Sequence, residues 1–205
     1  WVASGNTKTM KFLLAVVAAC AIVAISAQTP IRPKISEHFA AEGDSMIRRN
    51  DTHMFGRGIW AIDVPAQKSV EKHEFHEHHW FLYLLRRFDT HEEYMIDGHS
   101  EHDMHKCHHR AENGTMPEVW NWVSQAKFIG KKEVRSRLLD LWEYTTAGVK
   151  LFVAVHDSDV NTPVWFGRES ANEEFNIIFE RFESKFINQS WFDVPPQCQE
   201  APMEP

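Results

Sequence analysis

Residues 137–156 read RLLDLWEYTTAGVKLFVAVH, and the order of apolar and polar side chains along them decides the fold class. Val149, Leu151, Val153 and Val155 fall at every second position, with Lys150, Phe152, Ala154 and His156 between them. A period of two is the geometry of a strand, in which successive side chains leave opposite faces. Leu139 and Leu141 alternate in the same way with Asp140, Trp142 and Tyr144. The link Thr145-Thr146-Ala147-Gly148 is short and ends in a glycine, so the two runs predict a β-hairpin. Residues 157–163 then turn the chain into a further strand.

Working outward, the same texture recurs at 58–64, 80–88, 93–96, 119–129 and 163–168, short β-like runs with turn residues between them. Residues 80–85 are apolar at both parities: Trp80, Leu82 and Leu84 share one face and Phe81, Tyr83 and Leu85 the other. This pattern predicts a strand covered on both sides. Residues 172–186 fit two periods, since Phe175, Ile178, Phe179, Phe182 and Phe186 recur at helical spacing while Phe175, Ile177 and Phe179 alternate. Their β-branched and aromatic content favours a strand. The expectation is one mostly-β domain over 55–198, an antiparallel sheet or half-open barrel with little helix. A lead-in over 28–54 precedes it, with 36–41 either a short helix or extended, and a tail over 199–205 follows. No internal repeat is visible.

With 43% hydrophobic and 25% charged residues in 205, the chain can bury a core and is not of disordered composition. The formal charge is −7 with His neutral, and no Lys/Arg block stands on an aromatic or helical face. This composition lacks a nucleic-acid footprint. Met10-Lys11-Phe12, an apolar run over 13–25, and then Ser26 and Ala27 make the pattern of a signal peptide over 10–27, cut after Ala27 and preceded by an upstream segment over 1–9. The run is too short to span a bilayer comfortably. The chain is therefore expected to be secreted or to reside in the lumen of the secretory or endolysosomal pathway. Loss of Cys20 with the leader leaves Cys107 and Cys198, which in an oxidising compartment have one pairing available, a disulfide. Sequons at Asn50, Asn113 and Asn188 fit an exported glycoprotein.

The second half carries a run of short signatures. These are Met116-Pro117-Glu118-Val119-Trp120, Ala126-Lys127-Phe128-Ile129-Gly130, Asp140-Leu141-Trp142, Thr162-Pro163-Val164, the aromatic stretch 175–182, and the ending Phe192-Asp193-Val194-Pro195-Pro196-Gln197-Cys198. In this order they resemble the ependymin-related secreted proteins. They are also similar to the non-catalytic N-terminal region of certain secreted papain-like cysteine proteases. The resemblance covers roughly residues 105–198. It implies a curved antiparallel sheet, like that of bacterial lipoprotein carriers, which holds apolar molecules in its concavity.

No Gly-x-Ser-x-Gly, Ser-x-x-Lys or phosphate-cradling glycine loop occurs, so the chain is not expected to be an enzyme. The histidines are unusual: 13 in all, with one cluster at His73, His76, His78 and His79 and another at His99, His102, His105, His108 and His109. Neutral imidazole is the commonest metal ligand, and the first cluster is the candidate for weak Zn or Cu binding. Their number also suffices to reverse the sign of the net charge on protonation, so His73 to His79 beside the 80–85 strand are candidates for a pH-sensitive wall. The aromatic surplus fits either an ordinary core or a ligand cavity. The resemblance selects the cavity, with Trp60, Trp80, Trp120, Trp122, Trp142, Phe152 and Trp165 as its lining. The function expected is binding of an apolar or amphipathic ligand such as a lipid. The alternatives are a protein-interaction or pro-region-like module of a cysteine protease precursor, and a His-rich metal-binding protein. The partners expected are a hydrophobic small molecule or lipid and, in a homodimer, a second copy of the chain.

Overall fold

In a computed structural model of the chain, the residues described are 30–78, 80–98, 106–185 and 187–204. The signal peptide expected over 10–27 lies outside them. Strands run Phe39–Arg49 (β1), Thr52–Asp63 (β2), Lys68–Phe75 (β3), Trp80–Arg87 (β4), Glu92–Gly98 (β5), Lys106–Ala111 (β6), Lys127–Val134 (β7), Arg137–Thr146 (β8), Val149–His156 (β9), Asp159–Glu169 (β10) and Glu173–Glu183 (β11). They form one open antiparallel sheet in the order β6-β5-β4-β3-β2-β1-β11-β10-β9-β8-β7. Two meanders therefore meet where β1 pairs with β11, and the expected curved sheet with little helix is the one observed. The 137–156 hairpin closes on Ala147 and Gly148, both at positive φ (47° and 78°), with Thr146 opposite Val149. Left-handed backbone at both central residues matches the twist of the flanking strands, which is why so short a link suffices.

The curvature can be read from contacts across the sheet. His73 on β3 and Phe175 on β11 are separated by β2 and β1, a span of about 14 Å in a flat sheet, yet their ring centroids lie 5.5 Å apart. Trp60 on β2 and Phe166 on β10 are as far apart in strand order and meet at 5.6 Å. Between them the chain places residues without bulk. A Cβ at Gly43 would overlap the carbonyl oxygen of Ile178, and one at Gly56 that of Glu74. The β1–β11 register also shifts between Glu42 and Gly43, and a bulge of this kind sharpens the local bend.

Each face has its own cover. The connection from β6 to β7 crosses the concave face and carries Trp120, a 3-10 turn at Asn121–Gln125, and Ala126 onto the cluster of Phe39, Ile62, Trp142, Val153, Phe166 and Ile177. Trp120 lies within 5.8 Å of the rings of Phe39, Trp60 and Phe166. On the convex side, Ile187, Phe192 and Cys198 from the C-terminal segment cover Val70, Phe81, Leu85, Tyr94 and Ile96. Cys107 and Cys198 are disulfide-bonded with Cα atoms 5.3 Å apart, and Met203 bridges His109 at the β6 edge.

Three expectations need correction. Residues 28–54 are no lead-in: β1 and the start of β2 lie there, and β1 is the central strand, extended from Phe39 rather than helical over 36–41. Residues 119–129 are not one strand, because Trp120, Trp122 and Val123 pack as a short 3-10 turn against the sheet before β7 begins. Of the tail expected at 199–205, the described residues 199–204 are tied down through Met203, and the Glu204 N–H donates to the His109 carbonyl at 2.7 Å. Beyond these corrections, β3 and β6 are further strands that no reading above anticipates, since Glu71, Lys72, His73, Glu74, His108 and Arg110 hide their alternation behind polar residues.

The disulfide joins residues 91 positions apart, so the chain-entropy model assigns it up to about 4 to 5 kcal/mol. Replacing Cys107 and Cys198 together by Ala is expected to lower the thermal midpoint clearly. Non-reducing peptide mapping of the parent checks the pairing directly, and recovery of both cysteines as free thiols would remove it.

Candidate functional site

The concave face is only partly covered, and a cavity of ≈ 330 Å³ remains between the crossing segment and the far ends of the strands. Trp60 on β2, Trp80 and Leu82 on β4, and Val119 and Trp122 of the crossing segment form one side. Leu151 on β9, Phe166 on β10, Phe175 and Ile177 on β11, and Ile47 on β1 form the other. The strand residues are placed by the period-two rule: in the pairings Ile47↔Phe175, Trp60↔Glu71, His73↔Leu82 and Arg168↔Leu151, one face carries them all.

Polar groups enter this wall at two places. On β3, Glu71 and His73 are two residues apart and so share the concave face. His73 Nε2 is 2.8 Å from Glu71 Oε1 and donates to the carboxylate. Its ring is 2% exposed and held between Phe75 and Phe175, with Nδ1 buried and unpartnered among the described residues. The ring occupies the space over Gly58, where a Cβ would come within 2.7 Å of Nδ1. Burial alone would raise the Glu71 carboxyl. The hydrogen bond and field of His73, with the fields of Arg86 and Arg168, outweigh it and hold Glu71 below the ordinary value of 4.5. At the mouth, Glu173 accepts from Arg49 at 2.7 Å and also pairs with Arg168. Its carboxyl, which burial pushes up, is likewise held below 4.5 by these two guanidinium groups.

Of the aromatics expected to line a cavity, Trp60, Trp80 and Trp122 do so. Trp120 and Trp142 belong to the same cluster but are buried beneath it, each 2% exposed. Phe152 and Trp165 do not belong to the site. Their parity on β9 and β10 turns them to the opposite face, where they meet each other at 6.1 Å and Lys132 Nζ lies 4.1 Å over the Trp165 ring. Glu71, Arg168, Phe166 and Phe175 are cavity residues that sequence reasoning missed. The run Glu71-Lys72-His73-Glu74 is polar at both parities and gave no period-two signal that could have found Glu71.

The first histidine cluster is not gathered at one point in the described residues. His73 faces the cavity, whereas His76 is exposed beside Glu74 at 3.8 Å; His79 and the side chain of His78 lie outside them, as do His99, His102 and His105. Among the described residues no group of three or more His, Cys, Asp or Glu side chains could hold a metal ion. His108 and His109 instead anchor the C-terminal segment: His108 Nδ1 pairs with Glu204 at 2.9 Å, and His109 Nδ1 donates to the Ala201 carbonyl at 3.1 Å. Asn50, Asn113 and Asn188 are exposed. The Asn188 Oδ1 accepts from the Ser190 N–H at 3.1 Å. Among the described residues no helix is long and apolar enough to cross a membrane.

No family model matches the chain, and no curated protein matches it. Among solved structures, the chain is similar to a protein of the Pseudomonas aeruginosa MucA/MucB complex, with 9% identity and a TM-score of 0.44 over 80% of this chain and 58% of that one. It thus spans less than two thirds of that protein's length. An uncharacterized conserved protein from Thermus thermophilus aligns with 7% identity and a TM-score of 0.47 over 82% of this chain and 90% of that one. A DUF1329 family protein from Desulfovibrio piger aligns with 8% identity and a TM-score of 0.34, covering 77% and 90%. These values assign the chain no function.

Gly58→Ala is expected to push the His73 ring off its seat and to cost about 1 to 3 kcal/mol, because Phe75 and Phe175 leave the ring no room to retreat. Thermal denaturation measures the loss, and an unchanged midpoint would contradict the packing described. Glu173 binds its proton less readily folded than unfolded, so the stability it adds is complete above 4.5 and is lost as pH falls through its lower folded value. Glu173→Gln should therefore flatten the fall in thermal midpoint below pH 4.5, and parallel pH profiles for parent and variant would refute this.

Proposed function

We propose that this chain is a secreted, non-catalytic carrier that binds an apolar or amphipathic molecule, such as a lipid, in the bowl of its sheet. The observation that carries the reading is the unfilled ≈ 330 Å³ among Trp60, Trp80, Trp122, Phe166 and Phe175. Interiors normally pack to the density of organic crystals, whereas cavities of this size, apolar with a few polar groups, are the usual form of small-molecule sites. The leader-like sequence at 10–27, the Cys107–Cys198 disulfide and the resemblance to ependymin-related proteins support export and carriage. The lack of a nucleophile motif supports binding without chemistry.

Two measurements test this. Native mass spectrometry of the purified chain before and after organic extraction should show a bound species that extraction removes. Titration with the neutral fluorophore N-phenyl-1-naphthylamine should give saturable binding, weakened at least tenfold when Leu82→Trp and Leu151→Trp together fill the cavity. Equal binding by parent and filled variant, the variant being folded by circular dichroism, would reject the cavity as the site.

A further inference from the structure

We propose that the molecule held in the bowl carries a positive charge, a protonated amine or quaternary ammonium, which pairs with Glu71 against the aromatic wall. The inference rests on the carrier reading and adds the chemistry of the ligand's polar end.

The charges that reach the cavity are not equivalent. Arg49 and Arg168 have side chains 56% and 51% exposed at the mouth, and both already contact Glu173. Arg86, which borders a neighbouring recess, is held by Glu93 at 2.9 Å and by Glu112 at 3.5 Å. Glu71 differs. Among the described residues its one hydrogen-bond partner is His73, through Oε1, and no Lys or Arg lies within ion-pairing distance. Its side chain keeps 38% of its surface open, and that surface faces the main cavity and the adjoining recess of ≈ 180 Å³, both of which it lines together with Trp60 and Val119. The hydrogen bond from His73 and the positive fields around it outweigh burial and keep it ionised at neutral pH, its carboxyl below 4.5.

Glu71 thus has no Lys or Arg in direct contact among the described residues, and a ligand cation set against its open side would make the ion pair that the neighbouring fields do not. Trp60 stands directly opposite Glu71 in the β2–β3 pairing, so their side chains leave the same face as neighbours. Indole faces attract cations most strongly among the aromatics, and more so when water is excluded. An anionic head would find the reverse: two arginines already engaged by Glu173, and two carboxylates, Glu71 and Glu173, repelling it.

The test compares three probes with one tail, decyltrimethylammonium, decanol and decanoate, each below its aggregation threshold, by calorimetric titration of the full purified chain. The expected order is ammonium, then alcohol, then carboxylate, with the ammonium at least tenfold tighter than the alcohol. Glu71→Gln, which keeps the shape and can still accept from His73, should erase that advantage, so that ammonium and alcohol bind the variant equally. Ammonium and alcohol binding equally to the unmodified chain would overturn the inference and spare the carrier reading. Decanoate binding most tightly, with the preference lost in Arg168→Gln, would overturn it in favour of an anion at the mouth. Failure of all three probes to bind would defeat the carrier reading itself.

Discussion

Everything in this molecule depends on how tightly the sheet can curl at β1 and β2. The backbones at Gly43 and Gly56 come so close to their neighbours that a single added carbon would overlap a carbonyl oxygen. Curling there brings β3 and β10 toward one another, so that His73 meets Phe175, Trp60 meets Phe166, and Glu71 comes under the field of Arg168. A flat sheet of the same composition would spread these residues along one face with no enclosed volume.

Curling a sheet leaves two faces that must be covered by different means. On the convex face, the half formed by β1 to β5 is shielded by chain that has finished its part in the sheet, held by a disulfide at Cys198, by histidines 108 and 109, and by the edge bridge to Met203. The concave face receives only the short crossing segment around Trp120 and Trp122, which packs at the Phe39 end of β1. Toward the Ile47 and Arg49 end of the same strand, the cover runs out and the cavity begins. The open volume thus follows from the length of the crossing segment.

The polar groups of the bowl share one logic. Each carboxylate that enters the apolar face is stabilised by donors around it: Glu71 by His73, and Glu173 by Arg49 and Arg168. The difference lies in what remains unsatisfied. Glu173 has two guanidinium groups in contact at the mouth, whereas Glu71 has a single hydrogen-bond donor, His73, and an open side, which makes it the polar feature of the interior wall.

Local chemistry determined much from the sequence alone. The alternation in 137–156 and the two-sided apolar run at 80–85 follow from a side-chain period, the preference for a strand at 172–186 follows from β-branched and aromatic content, and pairing of the last two cysteines followed from their number. What the sequence could not decide was which aromatics share a space. Trp165 and Phe166 are adjacent in the chain and lie on opposite faces, and Phe152 goes with the former, because parity separates neighbours. Nor could it show that Glu71 and Arg168, far apart in sequence and on strands well separated in the sheet, act on each other. That proximity is set by the curl at Gly43 and Gly56, a property of how close backbones approach, which only the tertiary structure fixes.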